Sequence, residues 1–145
     1  VGEQGTREVG NWGMFARPIT GHVGVGGDQK MVTNFIYDET RPFEIRLQNV
    51  TGADIIFGRE LLSEAVQPVV NRERAMGYAG EGSISFSVTQ LMVGMHLRFD
   101  GGYQNVLYPL NEVSLFLDQT RVLVPEGEEV MDIDSLLDDF YNDKI

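Results

Sequence analysis

Alternation of apolar and polar residues with period two dominates the middle of this chain, and a helical period takes over toward its end. Phe43, Ile45 and Leu47 alternate with Glu44, Arg46 and Gln48, the signature of a strand with one buried face. The run Ser83 to Thr89 alternates in the same way, and Val93, Met95, Leu97 and Phe99 repeat the pattern on a following strand. Asp100-Gly101-Gly102 then supplies a hairpin turn into a third strand at Tyr103 to Tyr108. Upstream, Met31 to Tyr37 is a β-branched and aromatic run, closed by a turn at Asp38 to Pro42 because proline has no N–H to give a central ladder. Met14 to Val25 predicts a pair of strands broken at Gly21, with a turn at Gly24, Gly26, Gly27 and Asp28; a second turn, Thr51 to Asp54, leads into a short strand at Ile55 to Phe57.

Three helices follow from the other period. Leu61, Leu62, Ala65 and Val66 form one stripe, with Arg59, Glu60, Ser63 and Glu64 expected to face water and Pro68 to end the helix. Leu110, Val113, Phe116 and Leu117 form a second, with Asn111 as the expected cap. After a Val124-Pro125-x-Gly127-Glu128 turn, Ile133, Leu136, Leu137 and Phe140 predict a third helix, opened by Asp132 or Asp134 and carrying its acids where the helix dipole favours them. A strand-rich body with late helices is an α+β arrangement. Residues 1–13 hold four glycines and read as a loosely held arm, tacked down by Trp12 and Phe15; residues 14–145 read as a single domain.

Charge narrows the function classes. The chain carries 22 acids against 11 Lys and Arg, a net of −11. Residues 126–145 account for −7 of this, leaving −4 on the body. A duplex-DNA binder needs the opposite balance, to displace counterions from phosphates. The absence of cysteine excludes disulfides, thiolate metal sites and thiol catalysis, and fits a cytoplasmic location. No run of about 18 apolar residues is present to span a bilayer.

The chemistry-bearing residues fall into no reactive pattern. His22 and His96 are the only imidazoles, lie on separate strands and lack zinc-ligand spacing. Asp132-x-Asp134-x-x-x-Asp138 has neither the central glycine nor the bidentate glutamate of a calcium loop, so it reads as a solvated helix face. The glycines near Gly26 lack the lysine and helix of a phosphate loop. Ser83, Ser85 and Ser87 line one strand face with no base nearby in sequence, and read as solvent-facing. No cofactor or metal is expected, and the chain reads as non-enzymatic.

Two classes of function remain. In the first, the protein is an adapter whose last helix contacts a cytoplasmic protein partner through Ile133, Leu136, Leu137 and Phe140, flanked by Asp138 and Asp139; the same stripe would equally pack on the body or close a homo-oligomer. In the second, single-stranded nucleic acid stacks on Phe86, Arg98, Tyr103 and Tyr108 while the acidic tail recruits other proteins; those aromatics would equally serve as core or subunit contacts.

The order Tyr37-Asp38, Pro42-Phe43, Phe57-x-Arg59-Glu60-Leu61-Leu62-x-Glu64, Phe116-Leu117-x-x-Thr120, Val124-Pro125-x-Gly127-Glu128 and Asp132-x-Asp134-x-x-Leu137 resembles the SsgA-like proteins of actinomycetes over residues 32–140. The resemblance implies a whirly-like α+β fold with antiparallel sheets and a few short helices, assembled as a bell-shaped trimer. It also implies a regulator of septation and sporulation that acts through protein contacts, of the type that recruits the tubulin-like division protein FtsZ. Two departures stand out: the family's tryptophan-proline pair is missing from Ile84 to Thr89, and the N-terminal third is longer and glycine-rich. Both fit a divergent copy carried by a phage or mobile element.

Overall fold

The computed structural model describes residues 13–24, 26, 28–49, 54–67, 77–81, 83–89, 91–99 and 102–130. The expected arm up to Trp12 and the expected third helix, with Ile133, Leu136, Leu137, Asp138, Asp139 and Phe140, lie outside the described residues.

Eight strands form one antiparallel sheet: β1 (Met14–Val23), β2 (Gln29–Asp38), β3 (Glu44–Asn49), β4 (Asp54–Gly58), β5 (Gly77–Glu81), β6 (Ile84–Val88), β7 (Met92–Phe99) and β8 (Gly102–Pro109). Their spatial order is β4-β3-β2-β1-β8-β7-β6-β5. Each half is a meander of neighbours in sequence, which is what short turns between alternating segments produce. The halves meet at β1 and β8 through two residue pairs only, His22 with Leu107 and Val23 with Val106. Away from that seam β1 and β8 are free to splay, and the sheet curls until it is nearly closed. The Phe57 ring of β4 comes to 5.0 Å from the Phe86 ring of β6.

Two helices serve this sheet. α1 (Arg59–Val66) follows β4 without a loop, and α2 (Leu110–Leu123) follows β8 in the same way. Phe116 of α2 lies 5.4 Å from both Phe15 and Phe35, so the helix fills the concave side where β1 departs from β8. Phe35 in turn meets Tyr108 edge-on at 5.0 Å, a preferred aromatic geometry. The inward set Ile19, Phe35, Tyr37, Ile45, Leu47, Phe86, Met95, Val106 and Tyr108, with Val113, Phe116 and Leu117 of α2, is the core that the alternation forecast.

Four sequence expectations change. Met14 to Val23 is one continuous strand, and Gly21 does not break it. A Cβ on Gly21 would come within 2.7 Å of the Tyr108 ring and of Val106, so glycine stands there to admit the neighbouring strand's side chains. β5 is an additional strand that a segment reading Gly77-Tyr78-Ala79-Gly80-Glu81 did not announce. Asn111 is not a cap: the helix already starts at Leu110, after Pro109 in extended conformation, and no side chain caps it. Arg59 and Ser63 do not face water; both are buried, whereas Glu60 and Glu64 of the same helix are exposed.

Candidate functional site

The buried Arg59 follows from its position. It precedes Leu62 by three residues, and residues three apart share a helix face, so the stripe that packs Leu62 and Ala65 inward carries Arg59 with it. A guanidinium moved out of water needs a partner for its charge and for its N–H groups. Arg59 is 1% exposed, and its partners come from the C-terminal end of α2 and the turn that follows it. Nη1 donates to the carbonyl of Val124 at 2.8 Å and to the carbonyl and hydroxyl of Thr120 at 3.3 Å each. Nη2 donates to Oε2 of Glu129 at 2.6 Å. The guanidinium carbon also lies 5.2 Å from the centre of the Tyr37 ring, within cation–π range.

These bonds relieve the end of α2. The last carbonyls of any helix lack partners within it; the Thr120 carbonyl takes the Val124 N–H at 2.9 Å and Arg59 as a second donor, while the Val124 carbonyl just beyond is held by Arg59. The following turn is set by Gly127, whose φ of 90° lies in the left-handed region, with the Glu128 N–H bonded to the Pro125 carbonyl at 3.0 Å. Glu129 closes the circuit: its Oε1 accepts the Gly127 N–H at 2.8 Å while Oε2 holds Arg59. Hydrogen bonding from Arg59 is the main cause that lowers the Glu129 carboxyl below its ordinary range. Tyr37, buried under the same guanidinium, is pushed up to about 12 by desolvation, which the positive charge of Arg59 partly offsets.

A second arginine reinforces the joint. Arg121 donates from Nη2 to Ser63 of α1 at 2.9 Å and from Nη1 to Asp118 at 3.0 Å, and its Nε lies 3.5 Å from Glu126. Two segments distant in sequence, Phe57 to Glu64 and Val124 to Glu129, are thereby locked into one surface.

That surface is a groove of about 590 Å³ lined by Phe43, Gly58, Arg59, Glu60, Ser63, Glu64, Gln67, Glu126, Gly127 and Glu129. Across the ridge of Glu60 and Glu64 lies a second hollow of about 710 Å³ that also takes in Ile56, Leu61 and Ile84. Phe43 and Ile56 are exposed to 49% and 51%, so each hollow offers an apolar contact beside carboxylates. Arg59 and Glu129 neutralise one another at the floor, and the groove is negative at its rim. No group of three or more potential metal ligands occurs among the described residues, and no helix among them is long and apolar enough to cross a membrane.

The residues expected to stack nucleic acid separate into two pairs. Phe86 and Tyr108 are each 1% exposed and belong to the core, where Phe86 meets Phe57 and Tyr108 meets Phe35 and bonds the Thr33 hydroxyl. Only Arg98 and Tyr103 reach the outer face, as a cross-strand pair. A stacking platform of four is therefore absent, because the even and odd positions of β6, β7 and β8 point to opposite faces. The serine row also changes: Ser87 is half-buried and has the His96 ring beside it, a base that the register supplies from the next strand.

No protein-family model matches the sequence, and no curated protein matches it. Among solved structures, one SsgA-like sporulation-specific cell division protein, from Thermobifida fusca, superposes with a TM-score of 0.69 at 23% identity, over 88% of this chain and 95% of that one. Another, from work on SsgB and longitudinal cell division during sporulation of Streptomyces coelicolor, gives a TM-score of 0.66 at 21% identity, over 80% of this chain and 92% of that one. The chain thus has the α+β fold of the SsgA-like proteins, as the ordered sequence blocks implied.

Proposed function

We propose that this chain is a non-enzymatic regulator of sporulation-associated cell division that works by contact with other proteins. The observation that carries the reading is the meeting at Arg59 of the two sequence blocks by which the chain resembles the SsgA-like proteins. Those blocks build one acidic groove on a fold shared with sporulation cell-division proteins. The partner that suits a rim of Glu60, Glu64 and Glu126 with Phe43 and Ile56 beside it is a basic segment bearing an apolar anchor, on a cytoplasmic division protein of the FtsZ type. Ile133, Leu136, Leu137 and Phe140, with Asp138 and Asp139, follow the groove in sequence and extend the contact surface in this reading.

The same reading includes a homotrimer. The outward faces of β1 and β2 carry Ala16, Pro18, Thr20, Val32 and Ile36 with few charges, in a chain whose net charge is −11, and a sheet face of that composition suits burial against another copy. Light scattering on the purified protein at micromolar concentration should give three times the 16.2 kDa chain mass; a single-chain mass would remove the trimer from the account. For the contact function, the protein should co-sediment with FtsZ-type filaments in a manner insensitive to nuclease.

A further inference from the structure

A chain of hydrogen bonds on the outer face of the sheet joins three strands. Ser87 of β6 lies 2.9 Å from Nε2 of His96 on β7, and Nδ1 of His96 lies 2.8 Å from Oδ1 of Asn105 on β8. The amide oxygen of Asn105 only accepts, so Nδ1 of the neutral ring carries the proton. Nε2 is then the acceptor, and the Ser87 hydroxyl donates to it. This is the hydroxyl, base and orienting-group order that activates a serine, at the distances such an arrangement requires.

Ser87 is half-buried, and the residue opposite it is what lets the relay form. Directly across the ladder from Ser87 stands Gly94, and a Cβ there would lie 3.1 Å from Ser87 Oγ and 3.5 Å from the His96 ring. Gly94 is buried beneath the pair, and the missing side chain leaves the room in which the His96 ring and the Ser87 hydroxyl meet. Beside the relay, Ser83, Ser85, Arg98 and Tyr103 line a hollow of about 370 Å³ together with His96 and Asn105, large enough for a small ester.

We propose that Ser87 is a site of covalent acylation by activated carboxylic esters, with His96 as its base and Asn105 as the positioning residue. In the step, a bond forms between Ser87 Oγ and the acyl carbon and the bond from that carbon to the leaving oxygen breaks. The serine proton passes to His96 Nε2 and from there to the leaving alkoxide. β6 and β7 are both paired on either side, so their N–H groups are engaged in the ladder and no pair of backbone donors converges on the oxyanion. Each missing donor is worth on the order of 10²–10³ in rate. Acylation and hydrolysis of the acyl group both lack that stabilisation, so only esters with a good leaving group react, and the acyl-serine, itself an ordinary ester, persists. This inference is independent of the division role.

The experiment incubates the full chain with p-nitrophenyl acetate, follows nitrophenolate release and locates the acetyl group by peptide mass spectrometry. One equivalent should be released and Ser87 should carry the label. Ser87→Ala abolishes it, and His96→Gln slows it by about 10²-fold, the lower range for a positioned base. Should His96→Gln fail to fold, the Asn105 pair decides: Asn105→Leu slows labelling, whereas Asn105→Asp, which still accepts from Nδ1, retains it, with both melting as the parent does. Label spread over amines with Ser87 unmodified, or equal rates for Asn105→Leu and Asn105→Asp, would overturn the proposal in favour of a relay that only braces three strands.

Discussion

Glu129 Oε2 accepts from Arg59 Nη2 across 2.6 Å, an ion pair between residues 70 positions apart in which the arginine side chain is 2% exposed and the glutamate 15%. A pair buried to that extent contributes little against an apolar replacement of the same shape, but breaking it from one side is costly. Arg59→Met should therefore destabilise the protein by about 3–5 kcal/mol, since it strands the Val124 carbonyl and the Glu129 carboxylate. Denaturant unfolding followed by circular dichroism measures this. Glu129→Gln, which keeps an acceptor for Nη2, should cost less than Arg59→Met.

The same cluster sets the pH limits of stability. Glu129 ionises more readily in the fold than in the unfolded chain, so its contribution is complete above its ordinary value of 4.5 and is lost as pH falls through its lowered folded value. Tyr37 acts at the other end. The unfolded phenol gives up its proton near 10.0 and the folded one near 12. Between those values the unfolded chain binds fewer protons, and stability should fall by about 1.4 kcal/mol per pH unit. Tyr108, also raised by burial, adds to the alkaline loss. Unfolding midpoints measured across pH should show both edges, and Tyr37→Phe should flatten the alkaline one.

Gly21 gives a separate test of the seam between the halves. With Tyr108 and Val106 both 2.7 Å from where a Cβ would sit, Gly21→Ala should cost about 1–3 kcal/mol by overpacking. If the strand were broken there, as the sequence alone suggested, alanine would be neutral or stabilising. Thermal melting of this one variant separates the two descriptions.

Much of the sheet was legible because alternation is local: β3, β6, β7 and β8 each announce a buried face within five to eight residues. β5 was not, since a strand of two glycines, an alanine and a glutamate among five residues has no apolar period to read. Arg59 runs against its charge, which points to water, because its spacing from Leu62 places it on the inner face. The Ser87, His96 and Asn105 relay was beyond sequence reasoning: its members lie nine residues apart and meet only once the registers of β6, β7 and β8 are known. Phe86 and Tyr108 show the same dependence on face parity, for they alternate with the exposed positions that stacking would need.

The proposed contact surface includes Leu137 and Phe140, which a double substitution tests. Replacing Leu137 and Phe140 by Ser should leave the melting temperature unchanged and abolish capture of the division partner, if that helix is an exposed contact. Unfolding of the double variant would instead make the stripe part of the protein's own core, and a stable, fully binding variant would remove it from the surface. Differential scanning calorimetry and a pull-down on the same preparation read both.

The central claim is that the acidic groove beside Arg59 is where a division protein docks. Its most direct test is co-sedimentation with purified FtsZ-type filaments, comparing the parent chain with Glu60→Lys/Glu64→Lys, two exposed positions whose reversal leaves the buried joint untouched. The account expects the parent to pellet with filaments and the charge-reversed protein, equally stable, to remain in the supernatant. Equal pelleting of both, or none by either, would contradict it.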